Sequence, residues 1–146
     1  MKIEPAELEA FKQTLPTDLQ KEVFCWLTHE YDIVAARFLI HKLSLPKRSI
    51  DVTAWATALG MAGPQNTDKL SFNMITGVSD LDALKPEIDY THPLIIAEHT
   101  FKSGRKTEVT SLVIDGNHRL RKAFLEKVEK LEAYVIERKF INLIRQ

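Results

Sequence analysis

Apolar and polar positions along the chain follow two rhythms, a helical one near ~3.6 residues and short unbroken apolar runs of the kind buried strands make. Pro5 followed by Ala6–Phe11 predicts a first helix, proline being welcome in a helix's first turn. Pro16-Thr17-Asp18 predicts a second start, with Thr17 or Asp18 as cap, and Leu19, Val23, Trp26 and Leu27 then fall on one helical face. A third helical pattern begins at about Asp32, turns Val34, Ala35, Phe38, Leu39 and Leu43 inward, and ends before Pro46. Ile50–Leu59 is ambiguous, although Asp51 or Thr53 suits the cap of a short helix holding Trp55 and Leu59 and closed by Gly60. The turn-rich stretch Gly60–Asp68 reads as a linker or as a loop across a site.

Strand signals follow. Leu70–Val78 is expected to be extended, and Asp80–Leu84 to be a short capped helix closed by Pro86. Leu94-Ile95-Ile96-Ala97 is apolar without alternation, as a strand covered on both faces would be. Ser103-Gly104-Arg105 suits a hairpin turn, and Val109–Ile114 returns beside the first strand. A helix over about Gly116–Lys127, a strand over Leu131–Ile136 and a closing tail with Phe140, Ile141 and Ile144 complete the reading. The organisation expected is a helical N-terminal segment, residues 1–67, followed by an α+β domain, residues 68–146.

The candidate chemistry concentrates where the run Leu112-Val113-Ile114 meets Asp115-Gly116-Asn117-His118-Arg119. A strand, a tight turn and a helix place this polar cluster at the helix's first turn, where amide N–H groups lack carbonyl partners and carry partial positive charge. Gly116 permits a backbone conformation closed to other residues, Asp115 suits a cap, and Arg119 suits a fork onto phosphate or carboxylate oxygens. A phosphate-bearing ligand fits such a nest. The alternative is a capped turn with Arg119 paired on the surface.

Asp115-Gly116-Asn117-His118-Arg119, with Ala123 behind it, resembles the signature of the ParB/sulfiredoxin-like superfamily, in which a buried strand runs into Gly-x-x-Arg and a helix. The flanking runs 93–96 and 131–136 agree with that pattern, so the resemblance covers roughly residues 68–138. It implies a small mixed sheet with helices, and a nucleotide or other phosphate ligand held by Gly116, Asn117, His118 and Arg119. A nucleoside triphosphate with Mg2+ is the implied cofactor, and phosphoryl transfer or hydrolysis the implied chemistry, with Asp115, His118 and Glu98 as catalytic residues. Departures limit the transfer. Sulfiredoxins carry their reactive cysteine directly after the glycine, where this chain has Asn117, so repair of sulfinic acids is not expected. The companion motif of the partition proteins that bind cytidine triphosphate is absent C-terminal to the turn.

Composition narrows the picture further. In 146 residues, 20 basic side chains offset 20 acidic ones, so no bulk charge argues for nucleic acid, although a local basic patch stays open. Lys42, Lys47 and Arg48, with Arg37 and His41 before them, read as a solvated helix end. The single cysteine, Cys25, excludes an intramolecular disulfide and, between Phe24 and Trp26, is expected to be buried and inert. No apolar run spans a bilayer and no signal-peptide core opens the chain, so a cytoplasmic protein without membrane contact is expected. Glu98 and His99 end the first core strand and read as a polar rim where the strand surfaces; the alternative is that they border the cleft of His118 and supply a metal ligand or general base, although without fixed local spacing they make no metal site. Beside the phosphate-binding reading stand a DNA-associated plasmid or phage protein (nuclease or partition accessory) and a catalytically dead member that acts as a protein-interaction module through Trp26, Phe38 and Trp55. A homodimer fits any of these.

Overall fold

The computed structural model describes residues 1–26, 29–66, 73 and 76–146, with the backbone alone at 101 and 103. It is a mixed α+β protein. Its chain passes back and forth between two compact units, one formed by Met1–Pro46, Ile95–Asp115 and Val135–Gln146, the other by Lys47–Leu94 and Gly116–Tyr134.

The first unit opens with helix α1 (Pro5–Gln13), its proline at the first turn as expected. The helix expected from Thr17 onward is confined to a 3-10 turn, Thr17–Leu19. Strand β1 (Val23–Trp26) replaces the rest and pairs antiparallel with β2 (His29–Asp32). Val23-Phe24-Cys25-Trp26 is β-branched and aromatic, which favours a pleated surface, and the strand's period of two turns Phe24 and Trp26 toward the core while Val23 and Cys25 face out. The reading of Cys25 as a buried thiol is thereby corrected: it is exposed. Helix α2 (Ile33–Lys42) begins where the Asp32 carboxylate accepts from the Ala35 amide at 3.0 Å. Its Val34, Ala35, Phe38 and Leu39 are buried, so Phe38 belongs to the core rather than to a partner surface.

Strands β4 (Leu94–Ser103) and β5 (Lys106–Asp115) form an antiparallel hairpin turned at Gly104, with a bulge between Ile95 and Ile96. The core of this unit gathers Tyr31, Ile33, Leu39, Ile95, Ala97, Leu112, Ile114, Ile136, Ile141 and Ile144. A 3-10 helix, Arg138–Leu143, closes the chain, and the Gln146 amide donates to the Glu30 carbonyl, which ties the terminus to β2.

In the second unit, β3 (Arg48–Asp51) pairs antiparallel with β6 (Lys130–Ile136) through Ile50↔Leu131. β3 leads without a loop into α3 (Val52–Ala58), because Asp51 ends the strand and caps the helix, accepting from the Ala54 amide at 2.8 Å. α4 (Asp80–Ala83) is capped by Ser79, and α5 (Asn117–Leu125) packs on both α3 and α4. Val52, Ala56, Leu59, Met61, Leu94, Leu120 and Ala123 supply the buried apolar surface.

The described part of residues 1–67 therefore holds β1, β2 and β3 besides its helices, so the N-terminal segment expected to be helical is a mixture of helix and strand. The expected boundary at 67/68 and most of the extended stretch expected over 70–78 lie outside the described residues; of its described positions, Asn73 and 76–78, none lies in a strand, and the Gly77 amide donates to the Asn73 carbonyl. Among the described residues no helix is long and apolar enough to cross a membrane.

Candidate functional site

The turn Asp115–Arg119 falls where the chain passes from the first unit to the second, and its residues find different surroundings. Asp115 belongs to the first unit. The cap position of α5, which the sequence suggested for Asp115, is held by Gly116; Asp115 Oδ2 lies 3.2 Å from Nη2 of Arg37, whose Nη1 reaches Glu22 Oε2 at 2.7 Å. One guanidinium thus joins two carboxylates that are all partly shielded from water.

Gly116 occupies the cap position of α5 with φ +103°, in the left-handed region. A Cβ here would stand 2.4 Å from Leu94 Cδ2 and 3.0 Å from Arg119 Nη2, so the site admits glycine for two reasons, the backbone angle and the space. Arg119 folds back along the turn. Its Nη1 donates to the carbonyls of His92 and Pro93 at 3.0 and 2.9 Å, which pins the segment before β4 to the start of α5. Gly-x-x-Arg is in this chain a packed unit, with the guanidinium laid over the glycine. Asn117 is buried at the first helical position.

His118 is half-buried, and desolvation lowers its pKa below the ordinary 6.5, so it is neutral at pH 7. Two α4-side charges act on it, Asp82 upward and Lys85 downward, and these two are themselves ion-paired at 2.9 Å. Asp82 is held well ionised by Lys85 and by Ser79.

The lack of an acidic residue at its cap position or in its first turn sets this helix start apart. α1 has Glu7 in its first turn, α2 and α3 are capped by Asp32 and Asp51, and α4 has Ser79 as cap with Asp80 and Asp82 behind it. α5 begins with a residue that has no side chain, carries no acidic residue in its first turn, and presents His118 and Arg119 there. The positive end of a helix dipole stabilises anions and is opposed by cations, by about 0.3–1 kcal/mol each at exposed positions.

Glu98 and His99 lie in the first unit. Glu98 accepts weakly from the Arg138 amide at 3.4 Å. His99 is 2% exposed, with its Nδ1 3.4 Å from the Tyr31 hydroxyl and its ring 4.9 Å from that of His29 and 6.3 Å from Trp26, centroid to centroid. Burial lowers the His99 pKa, and the charges of His29 and Arg145 push the same way. Where a polar rim was expected, His99 sits in an aromatic, desolvated cluster, and the strand runs on past it to Ser103.

The residue that the sequence reading passed over is Arg121. Its guanidinium is buried in the second unit and donates to both oxygens of Asp80 and to the carbonyls of Met61, Gly63 and Pro64. Every N–H of the group has an acceptor, so the turn-rich stretch after Gly60 is, over its described part, tied down rather than a loose linker. The Asn66 amide adds a bond to Asp80 at 2.6 Å. A cavity of 390 Å³ opens beside this cluster, bordered by Gly60, Asn66, Asn73 and Val78. The signal was present: Asn117, Leu120, Arg121 and Phe124 share the spacing of one helical stripe, and an arginine on such a stripe must find a buried acceptor set.

No protein-family model, curated protein or solved structure matches the chain.

Proposed function

We propose that the chain is a ParB/sulfiredoxin-like domain that binds a nucleotide or another phosphate-bearing small molecule at the start of α5. The observation that carries the reading is the make-up of that helix start: Gly116 at the cap position with φ +103° and no acidic residue in the first turn. The first-turn amides of Asn117, His118 and Arg119 lie at the positive pole of the helix, where an anion is stabilised. In this reading Gly116 shapes the turn, and Arg119 lends its charge while its Nη1 anchors the 92–93 carbonyls. His118, neutral at pH 7, offers a ring N–H to a phosphate oxygen.

A magnesium ion carried by a nucleoside triphosphate asks little of the protein, because it keeps waters and phosphate oxygens as most of its ligands. Asp82, whose charge is felt at His118, is the carboxylate of α4 that fits beside such an ion. Among the described residues no group of three or more His, Cys, Asp and Glu is gathered for a metal held by protein alone. Asp115 is engaged by Arg37, so what the side chains support is binding, and a phosphoryl-transfer or hydrolytic step would take its base from His118.

A thermal-stability screen tests the reading. Inorganic phosphate, triphosphate and the four nucleoside triphosphates, each with and without Mg2+, are added at matched ionic strength. A native-state ligand at a hundred times its Kd stabilises by about 2.7 kcal/mol, a readily visible rise in melting temperature. No rise with any phosphate compound counts against the proposal.

A further inference from the structure

In the outer part of the β4–β5 hairpin no described side chain is buried. Thr100, Lys102 and every residue from Gly104 to Val109 are exposed, whereas a strand lying on a core alternates. Its register is Thr100↔Val109, Phe101↔Glu108, Lys102↔Thr107 and Ser103↔Lys106, so the hairpin continues as a two-stranded ribbon of about 10 Å plus its turn, at roughly 3.4 Å per residue. Directly opposed residues share a face, which puts Lys102 on one face, Lys106 on the other, and Arg105 in the turn.

These three cations make no ion pair among the described residues. Several other cations are neutralised locally, Lys42 with Glu7, Lys47 with Glu132, Lys85 with Asp82, Lys130 with Asp51, and Arg37 with Glu22 and Asp115. Lys21, Arg48 and Lys127 also form no ion pair among the described residues; what sets Lys102, Arg105 and Lys106 apart is that all three fall within five residues at one hairpin end. Glu108, on the face of Lys106, is the one carboxylate of the ribbon. The rest of the exposed ribbon includes Thr100 and Thr107, hydroxyl donors of the kind that contact phosphate oxygens.

We infer that this ribbon is a DNA-binding arm that enters the major groove of a duplex. The major groove of B-DNA, ~12 Å wide and ~8.5 Å deep, admits a two-stranded ribbon of this length. A cation on each face then meets the phosphates on each wall, with Arg105 leading at the tip. A-form RNA has a major groove too narrow and deep for such an arm, which selects DNA. The inference concerns the first unit and is independent of the phosphate reading at α5.

Fluorescence anisotropy of the full chain on a labelled DNA duplex, from ~50 to ~200 mM salt, tests it. Wild type should bind at low salt, with a log–log salt slope that the triple variant K102Q/R105Q/K106Q reduces by about 2–3, since each neutralised phosphate contributes ~0.9. Affinity at the lowest salt should fall tenfold or more. The triple variant K2Q/K21Q/K127Q, of identical net charge, should bind as wild type does; Lys102→Arg with Lys106→Arg should retain binding, and Glu108→Gln should tighten it. Melting curves confirm that each variant folds. Absence of DNA binding by wild type overturns the inference, as does equal weakening by the two triple variants. Equal affinity for an RNA duplex overturns the groove assignment, and arm-dependent binding to anionic vesicles without DNA binding makes the arm a membrane contact instead.

Discussion

Arg121 and Asp80 form a two-pronged ion pair, Nε to Oδ1 at 2.6 Å and Nη2 to Oδ2 at 2.8 Å, with side chains only 7% and 8% exposed. The pair joins α5 to the start of α4, and the same guanidinium collects the Met61, Gly63 and Pro64 carbonyls. Removing one member of a buried pair leaves an uncompensated charge, which costs about 3–5 kcal/mol. Arg121→Met should therefore lower the unfolding free energy measured in urea by that amount, and a loss under about 1 kcal/mol would show that the cluster is not a structural centre.

Asp80 also gives the pair a pH signature. Arg121 and then the Asn66 amide hold its carboxyl below the ordinary 3.8, against the opposing effect of burial. The folded state thus binds its proton less readily than the unfolded chain, and the stabilisation is present above pH 3.8 and lost as pH falls through the folded value. Acid denaturation monitored by circular dichroism should move to higher pH in Asp80→Asn only to the extent of the general destabilisation, and the slope below 3.8 should flatten.

Gly116 is the second structural prediction. At φ +103°, with Leu94 Cδ2 2.4 Å from a Cβ, Gly116→Ala combines backbone strain with a clash. A left-handed non-glycine residue costs on the order of 1–3 kcal/mol before the clash is counted. An unchanged unfolding midpoint would mean that the turn relaxes freely.

A third prediction concerns His99. Burial, His29 and Arg145 depress its pKa, so the unfolded chain takes up a proton at a higher pH than the folded one. The stability that neutral His99 contributes is intact above the ordinary 6.5 and declines as pH falls from there to the folded value. His118, depressed in the same direction, adds to the decline. Between pH 7 and 5 the unfolding free energy of wild type should drop more steeply than that of His99→Gln; parallel curves would show that His99 does not titrate in the folded state's disfavour.

How much of this was legible in the sequence depends on which physical signal each segment carried. α2, α4, the 94–97 strand, the turn at Gly104 and α5 announced themselves, because caps, proline stops and an unbroken apolar run all pointed one way. β1 did not: Leu19, Val23, Trp26 and Leu27 share a helical spacing, yet Val23-Phe24-Cys25-Trp26 also fits a strand's alternation, and pairing with β2 decided between them. β3 escaped because its side chains are mostly exposed and only Ile50 is buried. At the candidate site the glycine and the helix start were readable. The destinations of Asp115 and Arg119 were not, since an ion pair to Arg37 and bonds to the His92 and Pro93 carbonyls join residues far apart in sequence.

The central claim, an anion site at the start of α5, is tested most directly by calorimetric titration of phosphate and of a nucleoside triphosphate with Mg2+ into wild type and Arg119→Ala. Wild type should bind at least one of them with a stoichiometry of one. Arg119→Ala, shown by its melting curve to be folded, should bind about 1.5–3 kcal/mol more weakly, the scale of a charge-assisted hydrogen bond. No heat with any phosphate compound, or equal affinity in the two proteins, would contradict it.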